Sequence, residues 1–363
     1  MAIGDDWAGS FSHTSITPGS WTVFDWSSCL VLIDKINIDG MKYCENTNNI
    51  NFGAGNCLIK AVDADRSQYL SFKAGNEIEI YMSTEETANK VWGGYITDTE
   101  FGQENGNLLT MEGFDYSSKL KRERFTDTYS GVELSEAVED ILSKQSTFTY
   151  SIPATSSKTV SAEFTDSDMF TALQKLCNIY GYFFWVDVNK VARLRPSSSV
   201  VLNSESIVSG TNVSKKRYEK QNRDSLCNKA TIRGSGGTEE SSEDATSQST
   251  YGLYEQSLTV ESLSTAAAVQ AYANQFISDN KDQKPNQSIQ TKFLATTEPR
   301  NYSPVTIADL GLSGNYQIVR HTRKWGEGVG ISSEIELSNN IADSGLQMGE
   351  FERRITDVEK TVF

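Results

Sequence analysis

The sequence predicts a mainly β protein with an α+β insert, on three observations. Alternating apolar and polar residues recur in short runs over residues 21–119, and turn residues separate the runs. Helical periodicity interrupts this pattern in the middle of the chain. Strand patterns then resume in the last third. We therefore expect two similar antiparallel β-barrels, a small α+β domain between them and a short C-terminal helix.

The first β-barrel is expected over residues 21–119, after a polar N-terminal arm at residues 1–20. Its strands are predicted at residues 21–26, 30–38, 41–45, 56–62, 77–82, 91–101 and 108–114. The last two strands form a hairpin, because Asn105-Gly106 supplies two residues that tolerate positive φ. So many strands with turn signals at short spacing are typical of an antiparallel barrel or sandwich.

The small α+β domain is expected over residues 120–212. Its elements are predicted as a helix at 135–144, a strand at 148–152, a helix from about 169 to 180, and a hairpin of strands at 182–188 and 191–195. The second helix has an apolar face at 3.6-residue spacing. Residues 165–168 offer it an N-cap, and Gly181 is suited to the position after its last turn.

The second β-barrel is expected over residues 213–340. Strands are predicted at 226–233, 253–259, 287–294, 316–324 and 330–338, and a helix that packs on a flat surface is predicted at 264–278. The segment 234–250 has almost no apolar residues and contains four acids. Because such a segment buries little apolar surface, it is predicted to be a mobile loop.

The C-terminal segment 341–363 has apolar residues at alternating spacings of three and four, which is a heptad pattern. They are Met348, Phe351, Ile355, Val358 and Val362. About two heptads are too short for a stable isolated helix. The helix therefore either packs back on its own domain or associates with other copies around a symmetry axis.

Charge and cysteine content limit the classes of function. The net charge is −15, which argues against a protein that grips nucleic acid phosphates. The densest basic run, KLKRER at 119–124, contains Lys119, Lys121, Arg122 and Arg124. It could contact phosphate or an acidic partner, or pair with nearby acids, and we assign it to a subunit contact. The five cysteines lack CxxC spacing, which indicates buried free thiols.

Residues suited to catalysis or metal binding are sparse. The chain has two histidines, and His321 lies in a predicted strand, so we interpret it as structural. The pair Asp63 and Asp65 and the pair Asp98 and Glu100 could serve glycoside hydrolysis or a hard cation, but solvated edge charges explain them better. We expect no enzyme activity, no metal and no cofactor. No apolar run is long enough to span a membrane, and the N-terminus lacks secretory signal features.

The order of several stretches resembles the baseplate or tail-tip hub proteins of tailed viruses, a group that includes the late control protein D family and the hub part of contractile injection spikes. The stretches are WGGYITD (92–98), LTMEGFDY (109–116), LKRER (120–124), YSGVELSEAVEDIL (129–142), FTALQKLCNIYGYFFWVDVNK (170–190), LCNKATIRG (226–234) and GNYQIVRH (314–321). The resemblance covers roughly residues 25–340. It is one of pattern and order, without a catalytic motif.

The resemblance implies a homotrimer in which two barrels per chain form a pseudo-sixfold ring. Such a ring would match a sixfold tail tube or distal tail protein on one side and a threefold spike or fibre on the other. The genome would pass through without specific binding. The virion tail tip would be the location, after assembly in the host cytoplasm, and any cell-wall cutting would belong to a partner. The alternative is a receptor- or glycan-binding tail-tip module, whose aromatic platform would be drawn from residues 182–185.

Overall fold

A computed structural model describes residues 28–338 of the chain, apart from 51–54, 84–88, 103–106, 146, 156–157, 223–225, 261–262 and 283. Several sequence predictions lie outside the described residues. They are the N-terminal arm, the strand at 21–26, the turn Asn105-Gly106 and the C-terminal heptad helix.

The first part of the chain forms seven strands of one large sheet. They are β1 (Ser28–Ile33), β2 (Ile36–Asn37), β3 (Met41–Asn49), β4 (Asn56–Val62), β5 (Glu77–Ser83), β6 (Asn89–Gly102) and β7 (Leu108–Asp115), with the short helix α1 (Ser67–Ser71) between β4 and β5. The strand predicted at 30–38 is broken in two. Asp34 and Lys35 have φ of 46° and 70°, so they make a tight turn. The sequence has no glycine at this turn that would have indicated it.

The insert begins after a 3-10 helix at Tyr116–Lys121. Its elements are β8 (Arg124–Glu133), α2 (Leu134–Ser143), β9 (Thr149–Ser151), β10 (Thr159–Asp168), α3 (Met169–Tyr180), β11 (Tyr182–Val186) and β12 (Val191–Pro196). Both predicted ends of α3 are confirmed. The Asp168 side chain accepts a hydrogen bond from Thr171 N at 2.8 Å, and Gly181 follows the helix with φ of 70°.

The last part of the chain contributes a second group of strands. Its elements are β13 (Ile207–Val208), β14 (Val213–Asn222), β15 (Lys229–Arg233), β16 (Glu239–Glu243), α4 (Ala245–Tyr251), β17 (Glu255–Thr259), α5 (Ala266–Asn280), β18 (Lys284–Lys292), β19 (Tyr302–Ile307), β20 (Leu312–Gly326) and β21 (Gly330–Ser338). Further 3-10 turns lie at Ser235–Gly237 and Ala308–Leu310.

The two groups of strands form one curled sheet of 13 strands. Its order is β14-β18-β21-β20-β3-β4-β7-β6-β5-β1-β2, with β19 on β20 and β13 on β19. The two groups meet where β20 pairs antiparallel with β3, from Arg320 opposite Asn49 to Gly326 opposite Tyr43. The mainly β fold class is therefore confirmed, and the two predicted barrel regions are continuous through backbone hydrogen bonds.

The prediction of a mobile loop at 234–250 is wrong. This segment forms a 3-10 turn, the strand β16 and the helix α4. Its order comes from main-chain pairing with β15, from Arg233 opposite Glu239 to Lys229 opposite Glu243, and this pairing needs few apolar side chains. Buried Asn228 adds bonds to Ser247 Oγ at 3.2 Å and to Gly252 O at 2.7 Å.

The chain between residues 229 and 280 lies apart from the large sheet, although the sequence placed it in the second barrel. Strand β15 has β16 on one edge and β17 on the other, so both edges are filled and it joins no further strand. Helix α5 packs on this three-stranded sheet through Val269 and Ala273, as predicted for a helix on a flat surface.

Four apolar cores support these layers. The first group of strands encloses Ile59, Ile80 and Trp92, and the insert encloses Leu134, Phe164 and Leu173. The small sheet and α5 share a core around Ile232, and the second group of strands shares a core around Ile289 and Ile335. Cys44, Cys57, Cys177 and Cys227 are buried and Cys29 is half-buried, and all five are free thiols, as the sequence predicted.

Candidate functional site

The candidate functional site is a charged junction between the large sheet and the insert, built around Tyr116. This side chain is 1% exposed and lies against Gly93, where a Cβ atom would come within 2.6 Å of the ring. Tyr116 Oη donates a hydrogen bond to Glu77 Oε1 at 2.5 Å. Lys190 Nζ, from the tip of the β11–β12 hairpin, donates to Glu77 Oε2 at 2.9 Å. Glu77 therefore joins β5, the 3-10 helix and the insert.

The neighbouring carboxylate on β5 extends this network. Glu79 is 5% exposed, and it accepts hydrogen bonds from Lys35 and from Lys90 Nζ, the latter at 2.5 Å. Burial alone would raise the pKa of Glu79, but the two lysines lower it below its ordinary value. Lys90 Nζ also lies 3.3 Å from Tyr116 Oη. The network therefore alternates in charge and holds its carboxylates ionised.

The basic run borders this junction. Lys119 Nζ lies 4.5 Å from the centre of the Tyr95 ring, and Lys121 Nζ lies 5.0 Å from that of Phe170. Arg124 Nε pairs with Asp166 at 3.2 Å. Arg122 is exposed, and it has no ion pair among the described residues. The run therefore covers aromatic rings with two of its cations and presents Arg122 outward.

The acidic pairs lie outside any cluster of potential metal ligands in the described part of the chain. Asp63 is 2% exposed and accepts from the backbone N–H groups of Gln68 and Tyr69, so it caps α1. Asp98 and Glu100 are exposed side chains of β6. Among the described residues no group of three or more potential metal ligands occurs, and no helix is long and apolar enough to cross a membrane.

His321 has a structural position in β20. It is fully buried, with Nδ1 2.9 Å from Thr297 O and Nε2 2.9 Å from Ser333 Oγ. A carbonyl oxygen can only accept, so Nδ1 carries the proton and Nε2 accepts from the serine. Burial and the nearby Arg323 lower the pKa of His321 well below its ordinary value. The imidazole is therefore neutral, and it holds the loop before β19.

The aromatic run at 182–185 does not form an open platform. Phe183 and Phe184 are buried in the insert. Trp185 is half-buried, and the guanidinium groups of Arg195 and Arg300 lie 5.7 and 4.5 Å from its ring centre. The rings of Phe183 and Phe184 are therefore buried, and that of Trp185 is covered by two arginines. A glycan-binding surface would instead need exposed rings.

Comparison with models of protein families gives a match over most of the chain. A model of the YQBQ-like family matches residues 45–332, which is most of the sequence. The chain belongs to the YQBQ-like family. The matched range of this YQBQ-like chain begins in β3 and ends in β21, so it includes both groups of strands and the insert. A comparison with curated protein sequences finds no match.

Three solved structures share the fold of this YQBQ-like chain. A tail protein from Neisseria meningitidis MC58 has a TM-score of 0.67 at 13% identity, over 89% of this chain and 99% of its own. The 43 kDa tail protein of prophage MuSo2 from Shewanella oneidensis scores 0.66 at 15% identity, over 85% and 97%. Prophage tail protein gp18 from Listeria monocytogenes EGD-e scores 0.59 at 15% identity, over 92% and 100%. The resemblance to tail proteins drawn from the sequence is therefore confirmed at the level of the fold.

Sequence reasoning missed the bonds that make the junction. The alternation in β5 places Glu77 and Glu79 on one face, and that part of the pattern was visible. Lys190, the partner of Glu77, lies 113 residues away from it in the chain. A second missed residue is Glu205, whose carboxylate accepts from Ala295 N at 2.8 Å and Thr296 N at 2.9 Å. No local pattern in a single sequence indicates pairs at such separations.

Proposed function

We propose that this YQBQ-like protein is a structural hub of a phage tail, and that it acts as a homotrimer. The ring of three chains joins a sixfold tail tube or distal tail protein to a threefold tip spike or fibre, and it surrounds part of the DNA channel. The observation that carries the proposal is the continuous sheet, in which β20–β3 pairing joins two groups of strands within one chain. Three such chains contribute six groups of strands, which suits a sixfold neighbour.

The ends of the sheet support a ring. Within the described residues, β14 pairs only with β18 at one end of the sheet, and β2 pairs only with β1 at the other. Open strand edges are sites at which another chain can add its own strands. A ring in which each chain meets its neighbours along β14 and β2 covers these two edges.

An apolar surface near the edge strand β13 also supports contact with other proteins. Val200, Val201 and Leu202 are 61%, 38% and 54% exposed, and they are consecutive in the chain. Tyr302 N donates to Val201 O at 2.8 Å, so this segment runs along β19 and extends the line of β13. Contiguous exposed apolar residues mark surfaces that bind protein partners. The exposed Arg122 gives a second candidate contact. It lies at the start of the insert in the sequence, whereas residues 200–202 lie near its end.

The charge of the chain suits a passage for DNA that does not bind it. Three copies of a chain with net charge −15 carry 3 × −15 = −45. Acidic groups repel phosphates, so a lumen lined by them lets the genome slide. The virion tail tip is the proposed location, and assembly takes place in the host cytoplasm.

Electron microscopy of the purified protein tests this proposal. Averaged images are expected to show a ring with threefold symmetry, a central opening and six peripheral densities from the strand groups. Rings of another symmetry, or single particles at every concentration, would contradict the hub. A lumen that is neutral or basic would contradict the proposed role of its charge.

A further inference from the structure

A cavity of about 330 Å³ lies where three parts of the chain meet. One wall comes from the end of β3 and from Trp92 on β6, and a second from the β11–β12 hairpin. The third wall is the segment 298–301 before β19. The cavity therefore touches both groups of strands and the insert at once.

Two arginines of this cavity lie close together, and both guanidinium groups lie near the Trp185 ring. Arg300 is 7% exposed, and Arg195 is half-buried. Arg195 donates from Nη1 to Asn301 Oδ1 and from Nη2 to Arg300 O, both at 2.8 Å. Arg300 donates from Nη1 to Asn49 O at 3.0 Å. All three acceptors are neutral oxygens, so these hydrogen bonds neutralise neither positive charge.

The carboxylates of the cavity are occupied by other donors. Asp187 accepts from Arg193 Nε at 2.8 Å and from two backbone N–H groups. Asp115 accepts from Gly55 N at 2.5 Å, from Ser117 N at 3.0 Å and from the Ser117 hydroxyl. Glu298 is the remaining acid. Its carboxylate forms an ion pair with Arg300 Nη2 at 3.8 Å, which is longer than a hydrogen bond, and its side chain is 45% exposed, so it only partly balances the two arginines.

Two further N–H groups on cavity-lining residues lack an acceptor. Trp92 Nε1 and Arg195 Nε are both buried, and neither has a hydrogen-bond partner among the described residues. Buried donors normally find an acceptor, because leaving one unpaired is unfavourable. Burial lowers the pKa of Arg300 to about 10 despite the opposing effect of the Glu298 carboxylate, and the positive charge of Arg195 adds to the lowering.

We propose that this cavity binds a compact oxyanion, with inorganic phosphate as the representative ligand, between Arg195 and Arg300. Guanidinium groups bind phosphate through paired N–H donors, and the attraction is strong where water is scarce. The volume accommodates phosphate together with a few waters. Bound there, the anion fastens the β11–β12 hairpin to both groups of strands. The proposal is independent of the trimer, because all of the named residues belong to one chain.

Isothermal titration and thermal unfolding test the site, with sodium phosphate compared to sodium chloride at equal ionic strength. The native protein is expected to bind phosphate at one site per chain and to unfold at a higher temperature in phosphate. Arg195→Gln is expected to weaken phosphate binding at least about tenfold, since it removes a charge-assisted donor pair. Arg320→Gln is the matched control, because the Arg320 side chain is 47% exposed, pairs with Glu336 and does not line the cavity.

Two additional arms make the result decisive. Arg195→Lys keeps the charge but not the forked donors, and it is expected to fold and to bind phosphate more weakly than the native protein. A single-stranded oligonucleotide at the same phosphate concentration is expected to have no effect, because the cavity is too small for a chain of nucleotides. Equal unfolding temperatures in phosphate and chloride, an unchanged phosphate affinity in Arg195→Gln, or a response to the oligonucleotide alone would overturn the proposal.

Discussion

At the scale of single residues, Tyr116 connects three segments through one hydroxyl group. We expect Tyr116→Phe to lower the free energy of unfolding by about 1–3 kcal/mol, because the half-buried Glu77 carboxylate loses a donor while the buried ring still fills its space. Urea denaturation measures the change. Tyr150→Phe is the control, since Tyr150 is 44% exposed. Equal stability of the two variants would show that the hydroxyl contributes nothing.

His321 makes stability depend on pH with a definite sign. Its pKa in the folded protein lies well below the ordinary value of about 6.5, so the unfolded chain binds the proton more readily. Stability is therefore lost as the pH falls below about 6.5, by at most about 1.4 kcal/mol per pH unit. Asp115 has the opposite effect, because burial raises its pKa to about 6 and its contribution is lost as the pH rises through that value.

A variant separates these two contributions. In His321→Gln the loss of stability between pH 7 and pH 5 is expected to be smaller than in the native protein, because only the Asp115 contribution and the surface groups remain. Denaturant titrations at several pH values give the dependence of the free energy of unfolding on pH for the native protein and for His321→Gln. Parallel curves for the two proteins would mean that His321 does not titrate differently in the folded and unfolded states.

At the scale of elements, β6 contains a glycine, Gly94, at a position where the neighbouring strand leaves no space for a side chain. A Cβ atom on Gly94 would lie 2.1 Å from Phe114 O and 2.8 Å from Asp115 Cα, whereas one on Gly102 would meet no atom within 4 Å. Gly94→Ala is expected to destabilise the protein by about 1–3 kcal/mol, because the backbone of β7 must move. Gly102→Ala in the same strand is the control. Similar melting temperatures for both variants would contradict this packing.

Elements with a strong local pattern could be predicted from the sequence, and those held by polar pairing could not. Strand β21 was predicted at 330–338, the range the structure has, because its polar and apolar residues alternate between turns. Helix α3 was predicted with both ends, since Asp168 and Gly181 are specific signals. Strands β14 and β16 consist mostly of polar residues, so composition predicted no strand there, although main-chain hydrogen bonds form them.

At the scale of the whole molecule, the pairing of β20 with β3 decides the architecture. The strands are about 275 residues apart at the Thr47–Thr322 contact, where the two hydroxyl oxygens are 2.9 Å apart. Alternation within each strand predicts that it joins a sheet, but not which strand lies beside it. The basic run could be predicted because its residues are contiguous in the sequence. The Tyr116 junction beside it could not, because its partners are distant in the chain.

The subunit contact that we assign to the basic run can be tested by a charge reversal. Arg122→Glu is expected to shift the protein from trimer toward monomer at a given concentration, because an exposed cation at an interface with an acidic chain becomes repulsive. Arg233→Glu, on the small sheet, is expected to leave assembly unchanged, since Arg233 is bonded to Glu239 within the chain.

The mass of the purified protein in solution, measured by light scattering over a range of concentrations, tests the central claim most directly. Three chains of 40.2 kDa give about 121 kDa, and we expect this mass for the native protein and for Arg233→Glu. A mass near 40.2 kDa that persists to the highest concentration, or a stable assembly with another number of chains, would contradict the trimeric hub.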